Sequence, residues 1–164
     1  MNINQQYFER SEWVLGITIL AYFLLNGAQI FETAVIVPKW TSNPPLSFGL
    51  LKSIDLKTFW IVAHSLHEIT FIAAIAFCWK IDAVRNWLML LLVLHIIIRG
   101  WTLLYFAPNI ISFQSSTCEI TSGHELVKKV RLWKQLNLVR IALYIMISLG
   151  FLPLLIKVIR LKNL

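Results

Sequence analysis

The chain has 164 residues, of which 58% are hydrophobic and 14% are charged, and its formal net charge is +7. Soluble domains average about 45–50% apolar and about 25% charged residues. This contrast excludes a disordered chain and a fibrous repeat, and it leaves one small integral membrane domain over residues 1–164. The positive charge flanks apolar segments, where it meets anionic lipid headgroups, so it does not indicate nucleic-acid binding.

Four apolar segments are each about as long as the roughly 20 residues that a membrane-crossing helix needs. They run over residues 13–31, 59–78, 87–107 and 136–156. Because lipid offers no hydrogen-bond partner to the backbone, each segment must satisfy its own polar groups as a helix. The sequence therefore predicts an all-α, integral membrane, antiparallel four-helix bundle.

The lengths of the connections predict which segments share a membrane face. Residues 79–86 form a short turn, whereas residues 32–58 and 108–135 are long, so the two long loops lie opposite the termini and the short turn. Six basic residues flank the terminal face and seven flank the long-loop face, so their number does not set the orientation. Lys80, Arg85 and the C-terminal cluster lie directly beside spans, which favours cytoplasmic termini.

Polar and ionisable side chains recur at helical spacing inside the spans, in the half of the bilayer nearer the long loops. Such residues are costly in a bilayer and usually face a bundle interior or a cavity. We therefore predict a polar pocket in this half of the bundle. Its members are Asn26, Gln29, Glu32, His64, His67, Glu68, His95, Arg99, Trp133, Asn137, Arg140 and Tyr144.

Two acidic and two basic residues of this set cancel in charge, so the set could also be a network of interhelical ion pairs. These residues are Glu32, Glu68, Arg99 and Arg140. One interhelical polar contact contributes only about 0.6 kcal/mol on average, which is a weak reason to keep so many. A structural or assembly protein nevertheless stays an alternative.

The residue types in the pocket favour acid–base chemistry on a lipophilic molecule. A histidine, His64 or His67, titrates near neutral pH and suits the role of general base. An arginine, Arg99 or Arg140, would hold the developing anion, and Glu68 would orient a histidine. The predicted substrate-binding residues are Asn26, Gln29, Glu32, His95, Trp133, Asn137 and Tyr144.

The histidines could alternatively bind a metal ion or haem. His64 lies three residues before His67 and four before Glu68, a spacing that can present two ligands to one ion. The nearby arginines oppose a cation, and no pair of histidines at matched depth stands out for haem. We therefore assign no metal ligands, and a non-catalytic protein that binds haem, a metal, a quinone or another lipophile stays a second hypothesis.

Four short motifs carry a resemblance to a known family. Residues 130–140 read VRLWKQLNLVR and contain Trp133, Asn137 and Arg140. This string resembles the Trp-x-x-x-Asn/His-x-x-Arg signature that opens the last helix of the anthrone oxygenase-like family of small four-span membrane proteins. The strings NGAQIFE (26–32), VPKW (37–40) and YFAP (105–108) are similar to the end of its first helix, the following loop and the Pro-marked end of its third helix.

The resemblance implies a function as well as a fold. Fungal members of the family oxidise anthrones to anthraquinones with oxygen and no added cofactor, and the signature carries over to Trp133, Asn137 and Arg140. We therefore expect a membrane-embedded, oxygenase-like enzyme whose partners are a small lipophilic aromatic substrate and membrane lipids. Small residues such as Gly27 and Ala73 permit close helix contacts within one chain or between two, so a homodimer stays open.

Overall fold

A computed structural model describes residues 4–54, 56–115 and 123–163 of the chain. The structure is 90% helical and contains no strand in these ranges, which confirms the predicted all-α class. The described residues form seven α-helices: α1 (Gln5–Phe31), α2 (Val37–Trp40), α3 (Phe48–Ser53), α4 (Lys57–Phe77), α5 (Asp82–Trp101), α6 (Ala107–Ser115) and α7 (Gly123–Lys162).

Two π-helical turns join these helices into longer ones. The turn π1 (Glu32–Ile36) connects α1 to α2, and π2 (Thr102–Phe106) connects α5 to α6. A proline follows each turn, Pro38 after π1 and Pro108 after π2. Proline has no backbone N–H and clashes with a carbonyl of the preceding turn. A π turn widens the helix at that place, so the chain continues as a helix beyond each proline.

Four continuous helical stretches are long and apolar enough to cross a membrane: Gln5–Trp40, Lys57–Phe77, Asp82–Ser115 and Gly123–Lys162. The chain is therefore a multi-pass membrane protein. Three stretches extend well beyond the predicted spans, and much of the two segments predicted to be loops is helical. Hydropathy marks only the part of a helix that lies in lipid. The 40 residues of α7 reach about 60 Å, roughly twice the thickness of the hydrocarbon layer.

Two separate apolar cores lie along the molecule. The first, which we call the spanning core, is buried among α1, α4, α5 and α7 and includes Leu15, Phe71, Leu88 and Phe151. The second, which we call the cap core, is built by α2, α3, α6 and the beginning of α7. It includes Val37, Trp40, Phe48, Phe106, Phe113, Val130 and Trp133.

The polar residues of the spans lie where one core gives way to the other. On α7, Trp133 is in the cap core and Tyr144 is in the spanning core, and the buried Asn137 lies between them. On α1 and π1, the polar residues from Asn26 to Thr33 follow the last spanning-core residue and precede Val37 of the cap core. The fold therefore concentrates polar side chains in one layer between two hydrocarbon cores.

The end of the bundle opposite the cap core is closed by bonds between helices. Ser11 donates a hydrogen bond to the carbonyl oxygen of Phe77 at 2.8 Å, which ties α1 to the end of α4. Lys162 and Glu12 form an ion pair at 2.9 Å, which ties α7 to α1. These contacts hold the termini and the short turn at the same end, as the predicted antiparallel order requires.

Candidate functional site

Four polar aromatic side chains form a closed ring inside the bundle, which we call the histidine ring. The distances between ring centroids are 5.6 Å for His64–His67, 4.9 Å for His67–His95, 5.9 Å for His95–Tyr144 and 6.4 Å for His64–Tyr144. All four residues are buried, with at most 6% of their surface exposed. The structure thus brings together the three predicted histidines of α4 and α5 with Tyr144 of α7.

Tyr22 of α1 also contacts the histidine ring; the sequence places it on the polar face of the first span, although it is not among the predicted site residues. Its ring centroid lies 4.6 Å from that of His67, and its hydroxyl oxygen lies 2.7 Å from Nδ1 of His95. Tyr22 is four residues before Asn26 and so lies on the same helix face. That spacing was the available signal, but a tyrosine in an apolar span is more often a packing residue.

The position of the proton on His67 follows from one hydrogen bond. Its Nδ1 lies 2.8 Å from the backbone carbonyl oxygen of His64. A carbonyl oxygen can only accept, so Nδ1 carries the hydrogen of the neutral ring and Nε2 carries the lone pair. Nε2 is buried and has no hydrogen-bond partner among the described residues. His67 is therefore placed to accept a proton from a bound molecule.

The surroundings of His95 favour a proton on the other nitrogen. Glu68 and Arg99 form an ion pair at 2.9 Å, and the same carboxylate oxygen lies 3.9 Å from Nε2 of His95. A carboxylate on this side favours a proton on Nε2, so Nδ1 accepts the hydrogen bond that the Tyr22 hydroxyl donates. The opposite tautomer would direct a lone pair at the carboxylate and leave the buried phenol hydrogen without an acceptor.

Several buried polar atoms have no hydrogen-bond partner among the described residues. Native interiors pair nearly all such atoms, and lipid cannot supply the missing bonds. The histidine ring holds four of them, and together they offer both donors and acceptors to a bound molecule. The atoms are Nδ1 of His64, Nε2 of His67, Nε2 of His95, the hydroxyl of Tyr144, Oδ1 of Asn26, Oε1 of Gln29 and Nε of Arg140.

A second polar group connects α7 to both π turns. Arg140 Nη2 donates a hydrogen bond to Oδ1 of Asn137 at 2.6 Å, and Asn137 Nδ2 donates to the Thr33 hydroxyl of π1 at 2.9 Å. The Arg140 guanidinium lies 4.4 Å from the centroid of the Phe106 ring in π2. The Glu32 carboxylate interacts electrostatically with the Arg140 guanidinium. Two residues of the family-like signature therefore link the spanning helices to the cap core.

Five predicted substrate-binding residues, Glu32 and Asn137 of the second polar group among them, have no ring contact or hydrogen bond to the histidine ring in the described part of the chain. Asn26 donates a hydrogen bond to the Ser148 hydroxyl and so joins α1 to α7. Gln29 is buried on the same face of α1. Trp133 belongs to the cap core, where its indole N–H lies 3.4 Å from the carbonyl oxygen of Phe106. The predicted set thus divides into several groups around the polar layer.

The described side chains do not form a metal centre with three ligands. Within residues 4–54, 56–115 and 123–163, no group of three or more His, Cys, Asp or Glu side chains could hold a metal ion. A metal binds a ring nitrogen that carries no proton. His67 presents such a nitrogen to the interior, whereas Nε2 of His95 is protonated and its Nδ1 is bonded to Tyr22.

Comparisons of the chain with protein-family models, with curated proteins and with solved structures found no match.

Proposed function

We propose that the protein is a membrane-embedded, oxygenase-like enzyme that acts on a small lipophilic aromatic substrate at the histidine ring. The observation that carries the proposal is the unpartnered Nε2 of His67, a basic nitrogen buried among other unpartnered polar atoms. A positioned general base accelerates proton abstraction by about 10²–10⁴-fold. The motifs that resemble the anthrone oxygenase-like family support the choice of substrate class.

An anthrone matches the chemistry of these side chains. Its CH₂ group is acidic because the resulting anion is delocalised onto the ketone oxygen across the ring. His67 would take the proton from this carbon, and Arg99 or Arg140 would stabilise the negative oxygen. The carbanion then reacts with O₂, whose O–O bond breaks: one oxygen atom becomes the new carbonyl and the other leaves as water. The balance is anthrone + O₂ → anthraquinone + H₂O.

The test is oxygen-dependent formation of anthraquinone by the purified protein in lipid nanodiscs. We expect His67→Gln to lower kcat by about 100-fold or more, because glutamine keeps the size of the side chain but supplies no base. The chain offers a matched control in His124, an exposed histidine at the beginning of α7. The His124→Gln variant should keep the activity of the parent protein.

Two further variants test the predicted alternatives, His64 as the general base and Arg140 as the residue that holds the anion. We expect His64→Ala and Arg140→Ala each to lower kcat, since both remove an unpartnered buried polar atom of the layer. Full activity in both variants would reject these roles. A parent protein that does not oxidise anthrone under air would reject the proposed reaction.

A second candidate function is the binding of a cofactor without catalysis. The observation that favours it is again at His67, whose Nδ1–H is bonded to a backbone carbonyl while Nε2 stays free. Metal-ligating histidines have this arrangement. An absorption spectrum and elemental analysis of the purified protein distinguish the two functions. A Soret band or a stoichiometric metal would favour the cofactor-binding protein over the cofactor-free enzyme.

We also propose that the termini and the short turn face the cytoplasm. Basic residues lie directly beside the spans at this end, among them Lys80, Arg85 and Lys157, and basic residues close to spans favour the cytoplasmic side. A C-terminal green fluorescent protein fusion should therefore fluoresce, and a C-terminal alkaline phosphatase fusion should be inactive. The reverse result would place the cap core on the cytoplasmic side.

A further inference from the structure

The seam between α4 and α5 carries an ion pair at a lipid-facing surface. The side chains of Glu68 and Arg99 are 37% and 24% exposed. Residues three or four positions away share their helix faces, and these neighbours, Ile72, Ile96 and Leu103, are exposed and apolar. Lipid therefore surrounds the ion pair on its outer side.

Stability alone does not explain an ion pair at this position. Charged groups at this depth are costly, and apolar residues often replace a desolvated ion pair without loss of stability. The seam is also the least extensive of the four contacts between neighbouring spanning helices. The α4 and α5 helices touch each other less extensively than α1 touches α4 or α7, or than α5 touches α7. A seam of limited contact that holds charged groups is suited to admit a molecule from the bilayer.

The histidine ring lies directly behind the ion pair. Oε1 of Glu68 is 3.9 Å from the buried Nε2 of His95, which has no hydrogen-bond partner among the described residues. The His95 ring is in turn 4.9 Å from the ring of His67. A molecule seated in the seam would therefore have a charged guanidinium at its outer end and the proposed general base toward the interior.

We propose that the α4–α5 seam is a lateral binding site for a membrane lipophile that carries a ketone or phenol oxygen, and that Arg99 holds this oxygen. A guanidinium has five N–H donors, and for Arg99 only Nε is paired with a carboxylate in the described ranges. The remaining donors suit an acceptor oxygen, and exposed side chains such as Ile72 and Ile96 suit a flat apolar body. This inference rests on the proposed function, and it assigns the role of holding the anion to Arg99 rather than Arg140.

The test removes the charges of the seam and follows the binding of anthraquinone in nanodiscs by quenching of tryptophan fluorescence. We expect Glu68→Leu/Arg99→Leu to keep the unfolding midpoint of the parent protein and to weaken quinone binding about tenfold or more, because a charge-assisted hydrogen bond is lost. The matched control is Glu12→Leu/Lys162→Leu, which removes the interhelical ion pair at the other end of the bundle. The control should bind the quinone as the parent does.

A second variant decides the question if the double leucine variant does not fold. Arg99→Lys keeps the charge opposite Glu68 but loses the planar fork of donors, so we expect weaker quinone binding in a folded protein. Unchanged binding in the folded variants, or no saturable binding by the parent, would overturn the lateral site. Saturable binding that is lost with the Arg99 guanidinium, together with no oxidation of anthrone, would keep the site and reject the enzymatic function.

Discussion

Within the histidine ring, His67 and His95 are neighbours that carry their protons on opposite nitrogens. A backbone carbonyl fixes the proton of His67 on Nδ1. The Tyr22 hydroxyl and the Glu68 carboxylate together favour a proton on Nε2 of His95. One histidine therefore offers a free lone pair to the interior, and the other offers a donor, which is the combination that a proton transfer to and from a bound molecule needs.

The two tautomers can be measured directly. In ¹⁵N NMR spectra, protonated and unprotonated ring nitrogens of histidine have well-separated chemical shifts. For histidine-labelled protein at neutral pH, we expect an unprotonated Nε2 in His67 and an unprotonated Nδ1 in His95. The His67→Gln and His95→Gln variants assign the signals. The Glu68→Gln substitution should reduce the population of the His95 tautomer that is protonated on Nε2, and it should leave the tautomer of His67 unchanged. The same tautomer on both residues would contradict the proposed roles.

Helical spacing was sufficient to predict that the histidines of α4 and α5 and Tyr144 of α7 face one interior. Offsets of three and four residues fix a helix face without knowledge of the packing. Spacing could not predict that Glu68 pairs with Arg99 and lies beside His95, or that Tyr22 bonds to His95. These partners depend on how far each helix is rotated and shifted along its neighbours, and many combinations satisfy the same periodicity.

At the scale of helices, Gly150 lies at a close contact between α5 and α7. A Cβ added to Gly150 would lie 2.9 Å from Cδ2 of Leu91, which is closer than side chains normally approach. The Trp87 indole also donates a hydrogen bond to the carbonyl oxygen of Gly150 at 3.0 Å. Since small residues let helices approach closely in membranes, Gly150 favours close packing of these two helices.

Substitution of Gly150 should therefore separate α5 from α7. We expect Gly150→Leu to lower the free energy of unfolding by about 1–3 kcal/mol, the usual cost of overpacking. Gly27 offers a matched control, since nothing lies within 4 Å of the Cβ that would be added there. Unfolding of both variants in mixed micelles with increasing denaturing detergent makes the comparison. An equal effect of Gly150→Leu and Gly27→Leu would show that close approach at Gly150 does not stabilise the bundle.

The lengths of the helices were the least predictable feature of the fold. The sequence marks the ends of two spans with Pro38 and Pro108, and proline usually ends a helix. The structure instead continues through π1 and π2 into α2 and α6. This continuation depends on the cap core, whose residues come from segments far apart in the sequence, and hydropathy along a single segment does not report such packing.

For the molecule as a whole, the central feature is the polar layer between the spanning core and the cap core. Two apolar cores could have met without polar residues between them, and such a bundle would avoid the cost of unpaired polar atoms in a membrane protein. Proteins often keep such locally unfavourable residues at functional sites, where stability is lost in exchange for activity. We therefore expect that the unpartnered atoms of the histidine ring do not stabilise the fold.

The most direct test is the free energy of unfolding of Tyr144→Phe in bicelles, measured by steric trapping and compared with Tyr22→Phe. The Tyr144 hydroxyl makes no hydrogen bond of good geometry in the described part of the chain and has Thr102 as a polar neighbour, whereas the Tyr22 hydroxyl lies 2.7 Å from Nδ1 of His95. We expect Tyr144→Phe to be as stable as the parent protein or more stable, and Tyr22→Phe to lose about 1 kcal/mol. A loss of about 1 kcal/mol or more in Tyr144→Phe would contradict the account, since the ring would then be structural.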